Sequence, residues 1–278
     1  MPYPTYSFEF FPPKTEAAEK AFWDGIPVLA ALHPKFMTVT YGAGGSTRDK
    51  TLEVVAKLQA QTGIPVAAHL TYINTTRQDI FRVTDAMWKQ GIRHIIALRG
   101  DLPKDLNWPL DPDADYFQHT SEFVEALKAR HDFEISVGAY PEVHPDAGSL
   151  AADIEALKKK CDAGATRAIT QFFFDNDCFY KFVDACQAAG INTPIIPGIL
   201  PVHDIERVKV FAGRCAATVP DWLSAKFDGR TPEDARKVAE EVLAQQSFDL
   251  KAKGIQHIHY YTLNKPDITV QACEKLHA

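Results

Sequence analysis

The chain has 278 residues, 46% of them apolar, and its charged side chains leave a net charge of −6. That apolar share excludes a disordered chain, and the acidic balance argues against a nucleic-acid binder, which presents a basic face. The length admits one large α/β domain or two modest ones, with enough core to fold without disulfide or metal staples.

In chain order, short apolar or β-branched runs alternate with amphipathic stretches. The predicted strands are Tyr6–Phe10, Phe36–Thr40, Val66–Leu70, His94–Leu98, Glu134–Gly138, Arg167–Gln171, Ile195–Ile199 and His257–Thr262. Helical periodicity covers Lys50–Gln61, Asp79–Gln90, Ser121–Ala129, Leu150–Cys161 and Pro232–Ala252. Thr231-Pro232-Glu233-Asp234 is an N-cap, a first-turn proline and two acids that suit the helix dipole. Gly63, Gly91, Gly164, Gly190 and Gly254 stand where helices turn back into strands. Eight strand–helix units in one chain of this length point to a single-domain (β/α)8 barrel over residues 1–278. A doubly wound open sheet is the alternative, but Thr47 occupies the third glycine position of the dinucleotide fingerprint after Gly42-Ala43-Gly44-Gly45.

No apolar run reaches the roughly 18–20 residues that cross a bilayer, and no leader is visible, so a cytoplasmic protein without membrane contact is expected. Cys161, Cys178, Cys186, Cys215 and Cys273 are an odd count without C-x-x-C spacing, as expected of small buried apolar residues.

Barrel active sites form at the C-terminal strand ends. The first strand carries Glu9 among Phe8, Phe10 and Phe11, either a structural ion pair or an acid whose pKa is raised by burial. The second runs into the glycines at 42–45, a plain turn or a close approach to a flat ligand. The third ends at His69, and the fourth at Arg99-Gly100-Asp101. The fifth gives Tyr140, Glu142 and His144; the sixth gives Gln171 before three phenylalanines; the eighth ends at Tyr261-Thr262-Leu263-Asn264. His257 and His259 share one strand face, but no third ligand accompanies them at metal-site spacing, so no metal is expected. No lysine follows a strand except Lys265, which weakens a Schiff-base chemistry. The residues themselves describe a barrel enzyme for a planar, hydrogen-bonding heteroaromatic ligand.

Seven motifs in this order resemble those of the methylenetetrahydrofolate reductase family. They are Ser-Phe-Glu-Phe-Phe-Pro-Pro-Lys-Thr (7–15), Val-Thr-Tyr-Gly-Ala-Gly-Gly-Ser-Thr-Arg-Asp (39–49), Ala-Leu-Arg-Gly-Asp-Leu-Pro (97–103), Ala-Tyr-Pro-Glu-Val-His-Pro (139–145), Ala-Ile-Thr-Gln-Phe-Phe-Phe-Asp (168–175), Ile-Ile-Pro-Gly-Ile-Leu-Pro-Val (195–202) and Tyr-Thr-Leu-Asn (261–264). The resemblance implies an FAD-dependent barrel that interconverts 5,10-methylenetetrahydrofolate and 5-methyltetrahydrofolate, with NAD(P)H as the usual donor. It makes Glu9 the general acid, Asp101 the carboxylate beside flavin and pterin, Gln171 a substrate contact and Phe211 a stacking aromatic; Leu263 is expected at the same substrate site. It places FAD against Thr40, His69, Leu98, Arg99, Gly100, Tyr140, His144, Asp153, Lys160, Ile169 and Tyr261, with Arg99 and Lys160 toward the diphosphate.

The chain departs from the family pattern in places. His119 and Thr120 replace a tyrosine–alanine pair, Ala156 and Lys159 replace an asparagine and an arginine near the adenine end, and Arg207 replaces a glutamine at the donor and folate site. These departures suggest weak use of NADH, with flux from methyl- to methylene-folate. A folate substrate and a homo-oligomer are expected as partners. A non-enzymatic flavin or folate sensor of the same fold, and an unrelated barrel lyase, are the alternatives.

Overall fold

The computed structural model describes residues 3–41, 48–102, 109–111 and 114–277. The glycine-rich stretch at 42–47 and Pro103 therefore lie outside the described residues. The strands are β1 (Thr5–Phe10), β2 (Phe36–Val39), β3 (Val66–Thr71), β4 (His94–Leu98), β5 (Glu134–Ala139), β6 (Arg167–Thr170), β7 (Ile195–Ile196), β8 (Gly198–Ile199) and β9 (His257–Tyr261). All pair in parallel, in the order β7-β6-β5-β4-β3-β2-β1-β9-β8. The predicted strand at 195–199 is thus two pieces, β7 and β8, parted at Pro197, whose ring nitrogen has no hydrogen for a ladder. Because β7 pairs with β6 and β8 with β9, the two pieces act as one stave and close the sheet into a (β/α)8 barrel.

The helices are α1 (Glu16–Ala30), α2 (Arg48–Thr62), α3 (Arg77–Lys89), α4 (Thr120–Arg130), α5 (Leu150–Asp162), α6 (Asn176–Ala188), α7 (Ile205–Cys215), α8 (Asp221–Phe227), α9 (Pro232–Ala252) and α10 (Pro266–His277). Local chemistry sets several of their ends. Ser149 Oγ accepts from the Ala152 N–H to start α5, and Thr231 Oγ1 accepts from the Asp234 N–H to start α9. None of the described helices is long and apolar enough to cross a membrane.

Period-two alternation sorts the strand residues between two environments. On β1, Phe8 and Phe10 face the helix layer, where Phe10 meets Phe22 of α1 edge-on at 5.5 Å. Ser7 and Glu9 face the barrel interior. The main core therefore lies between sheet and helices, and a second, smaller apolar cluster of Phe36, Ala67, Ile96, Ile169 and Ile196 plugs the barrel itself. Cys186 and Cys273 are buried, whereas Cys161, Cys178 and Cys215 are only half-buried.

Candidate active site

Above the apolar plug, the C-terminal strand ends enclose a cavity of about 360 Å³. Glu9 forms its floor, with Thr40, His69, Ile169, Gln171 and Tyr261 around it and Phe211 and Leu263 at the rim. Phe211 of α7 stacks on Phe172 with ring centres 5.3 Å apart, so the aromatic run after β6 supplies one wall. Gln171 is turned back by its own chain, its Oε1 accepting from the Phe172 N–H at 3.0 Å. Its amide NH2 is thereby aimed by a backbone contact. The Tyr261 hydroxyl donates to the Thr170 carbonyl at 2.6 Å, and burial pushes its pKa well above the usual tyrosine range, so it stays neutral. That close approach requires Gly198, where a Cβ would lie 2.3 Å from Thr170 O and 2.6 Å from the Tyr261 ring.

Glu9 does not sit among phenylalanines, as its place in the sequence suggested. Alternation sends Phe8 and Phe10 outward and leaves the carboxylate facing two imidazoles. His69 Nε2 lies 3.2 Å and His259 Nε2 3.6 Å from Glu9 Oε2, and the Thr38 hydroxyl donates to the same oxygen at 3.3 Å. Neither Nε2 makes a well-angled hydrogen bond to any described group. Burial alone would raise the Glu9 pKa, but His69 and His259 outweigh it and hold the carboxyl at about 2. Of the two readings of Glu9, a structural ion pair or a burial-raised acid, the geometry favours the paired carboxylate, because the two imidazoles pull its pKa down against the effect of burial.

Beside the mouth, between β4, β5, α4 and α5, a second cavity of about 580 Å³ opens onto the first. Leu98, Gly100, Asp101, Gly138 and Tyr140 line both. Gly100 has φ +94°, and a Cβ there would lie 2.8 Å from Ile73 Cγ2, so this seam admits no side chain. The flank also holds Arg99, His119, Thr120, His144, Asp153, Lys159 and Lys160.

Its charged groups are already engaged. Arg99 Nη1 pairs with Asp146 at 2.9 Å, Lys159 pairs with Glu155 at 2.8 Å, and Lys160 Nζ donates to the Gly138 carbonyl at 2.6 Å. Burial lowers the Lys160 pKa even though Asp153 opposes it. Asp153 Oδ2 accepts from the His144 N–H at 2.8 Å, which ties α5 to the loop after β5. Burial also lowers the His144 pKa, and burial pushes the Tyr140 hydroxyl up to about 12.

The structure thus brings every site residue predicted from the sequence to one of these two cavities except Arg207. Arg207 lies in the first turn of α7, 86% exposed and paired with Asp204 at 3.4 Å. Two lining or neighbouring residues are not marked for the site by the sequence, His259 and Gln118. His259 reads there only as one of two histidines that alternate onto one strand face. Gln118 lines the flank cavity with a buried Oε1 that has no hydrogen-bond partner among the described residues, and no sequence motif marks it. Among the described residues no group of three His, Cys, Asp or Glu side chains could hold a metal ion.

The family described as "Methylenetetrahydrofolate reductase" matches residues 2–277. The chain is 42% identical over 272 residues to the 5,10-methylenetetrahydrofolate reductase of Pectobacterium carotovorum subsp. carotovorum, covering 97% of this chain and 89% of that protein. It is 43% identical over 272 residues to the enzyme of the same name from Escherichia coli (strain K12), covering 97% and 90%. Among solved structures, an uncharacterized Clostridium thermocellum protein that binds two copies of 5-methyl-5,6,7,8-tetrahydrofolic acid superposes with a TM-score of 0.66 at 14% identity, over 99% of this chain and 95% of that one. At that identity the likeness shows the barrel fold alone.

Proposed function

Because the chain belongs to the methylenetetrahydrofolate reductase family, whose members interconvert methylene- and methyl-tetrahydrofolate, we propose that it does so with FAD in the two joined cavities and Glu9 as the proton-transferring group. Two features fit such a cofactor. Gln118 Oε1 is a buried acceptor with no hydrogen-bond partner among the described residues, and Arg99 and Lys160 place basic side chains on the flank cavity for a diphosphate. When bound, FAD supplies hydride transfer between a nicotinamide or folate donor and acceptor.

The chain's own residues do the rest. Phe172 and Phe211 form an apolar wall against which a planar pterin stacks, and the Gln171 amide orients it by hydrogen bonding. Asp101, at the seam of both cavities, places negative charge where the two rings would meet. Glu9, with His69 and His259 within 3.6 Å, delivers a proton to the folate nitrogen as the methylene bridge opens, and takes it back in the reverse direction. Arg207 pairs with Asp204 and lines neither cavity, so slow reduction by NADH is expected.

The observation that carries this reading is the carboxylate–imidazole cluster on the floor of an aromatic-walled cavity. Anaerobic mixing tests it, with NADH, NADPH and methyltetrahydrofolate as separate donors. The purified protein should be yellow, and methyltetrahydrofolate should bleach it. Glu9→Gln should slow that bleaching by about 100-fold or more while the flavin stays bound. Unimpaired bleaching in the variant removes Glu9 from its role, and a colourless protein removes FAD.

A further inference from the structure

Glu142, in the turn after β5, lines neither cavity, although Tyr140 and His144 on either side of it do. Its Oε2 accepts instead from the Thr218 N–H at 2.9 Å, a charge-assisted bond across 76 residues of chain. Two left-handed turns prepare that bond. Val143 has φ +70°, a region that a β-branched residue rarely enters, and its N–H returns to the Tyr140 carbonyl at 3.3 Å. Ala216 has φ +53° and ends α7, where its own N–H and that of Ala217 both go to the Ala212 carbonyl. The Thr218 N–H is the next donor along the chain, and it is left for Glu142.

Thr218 follows the helix that carries one wall of the mouth. α7 presents Phe211, stacked on Phe172, and Cys215 one turn later to the same cavity that Tyr140 lines. We propose that Glu142 is a positioning residue: through Thr218 it holds α7, and with it Phe211, in the place set by the loop after β5. The inference rests on the reading of the mouth as the folate site and of the flank as the FAD site.

The two segments joined by this bond are not equally secured. The loop after β5 has ties of its own. Asp153 Oδ2 accepts from the His144 N–H at 2.8 Å, His144 Nδ1 accepts from the Asp146 N–H at 3.0 Å, and the His144 carbonyl accepts from the Ala147 N–H at 2.9 Å. The segment that leaves α7 reaches across the C-terminal face at Thr218, whereas its donors at Ala216 and Ala217 stay within the helix. Loss of the Glu142 carboxylate therefore frees the end of α7 and leaves Tyr140 and His144 where they are. Phe211 is 37% exposed, so its ring depends on the placement of the helix and on the stack with Phe172. Displacing a stacking ring weakens the hold on folate and leaves proton and hydride transfer at Glu9 and the flavin untouched.

The test uses single-turnover reduction of the flavin by methyltetrahydrofolate in holoenzyme. Glu142→Ala should raise the half-saturating methyltetrahydrofolate concentration about fivefold or more, with the limiting rate within about twofold of wild type. The rate at which FAD is lost on dilution should also stay within about twofold, because the loop after β5 keeps its own ties. Glu142→Gln retains an acceptor oxygen and should restore the wild-type values. Phe211→Ala should itself raise the half-saturating concentration, and in that background Glu142→Ala should add less than about 1.5-fold, since the ring it positions is gone. Unchanged half-saturation in Glu142→Ala overturns the proposal, as do effects of the two substitutions that multiply. A parallel loss of FAD retention and melting temperature overturns it too, in favour of general support of the fold. A wild-type protein that is colourless, or inert toward folate, would defeat the functional reading instead.

Discussion

The two joined cavities are built from the same strand ends, yet they treat polar groups in opposite ways. In the mouth, Glu9, His69, Gln171 and Tyr261 are held by strands, by each other and by backbone carbonyls. Their geometry is settled before any ligand arrives. In the flank, the Arg99–Asp146 and Lys159–Glu155 pairs have at least one half-exposed partner and must exchange partners to take an anion. The mouth is therefore rigidly organised, whereas the flank is held by exposed, salt-sensitive pairs.

The largest effect that would sharpen this contrast concerns backbone space. Gly198→Ala pushes a Cβ into Thr170 O and Tyr261, and should cost about 3 kcal/mol or more, or prevent folding. Gly148→Ala at the flank has φ +69° but open space, and should cost only about 1 kcal/mol. Chemical denaturation of both variants checks the difference, and equal costs would break the distinction.

Acid unfolding comes next. The folded His257 pKa is lowered to about 3 by burial and by the charges of its neighbours, so the fold favours the neutral ring. The stability this contributes is complete above about pH 6.5 and is lost progressively as pH falls toward 3. The lowered Glu9 pKa contributes stability above about 4.5 that disappears toward pH 2. Melting temperatures should therefore decline from pH 6.5 downward, and His257→Phe should flatten the part of the decline between 6.5 and 4.5. An unchanged slope in that variant would show that His257 is not where acid acts.

Flank substitutions should be the mildest. Asp146→Ala relieves Arg99 of a competing carboxylate and should tighten FAD binding a few-fold, whereas Lys159→Ala should change it by less than twofold. Flavin titrations at low and high salt check both values. A large loss in either would mean that the flank is as rigidly organised as the mouth.

Much of this was open to reading in the sequence. Strand periodicity, helix caps and the alternation of strand and helix determined the barrel, because each depends on neighbours within a few residues. Polar residues at strand ends determined which side chains gather, since a barrel brings all its C-terminal ends to one face. What surrounds those side chains was decided only by closure of the sheet. Glu9 reads as an acid among phenylalanines because Phe8 and Phe10 are its sequence neighbours, yet its contacts come from β3 and β9, 60 and 250 residues away. The same closure interleaved His257 and His259 with Thr5 and Ser7. Local chemistry fixes which element a residue occupies and which face it takes. Its charge state and its partners depend on strands that meet only when the barrel closes.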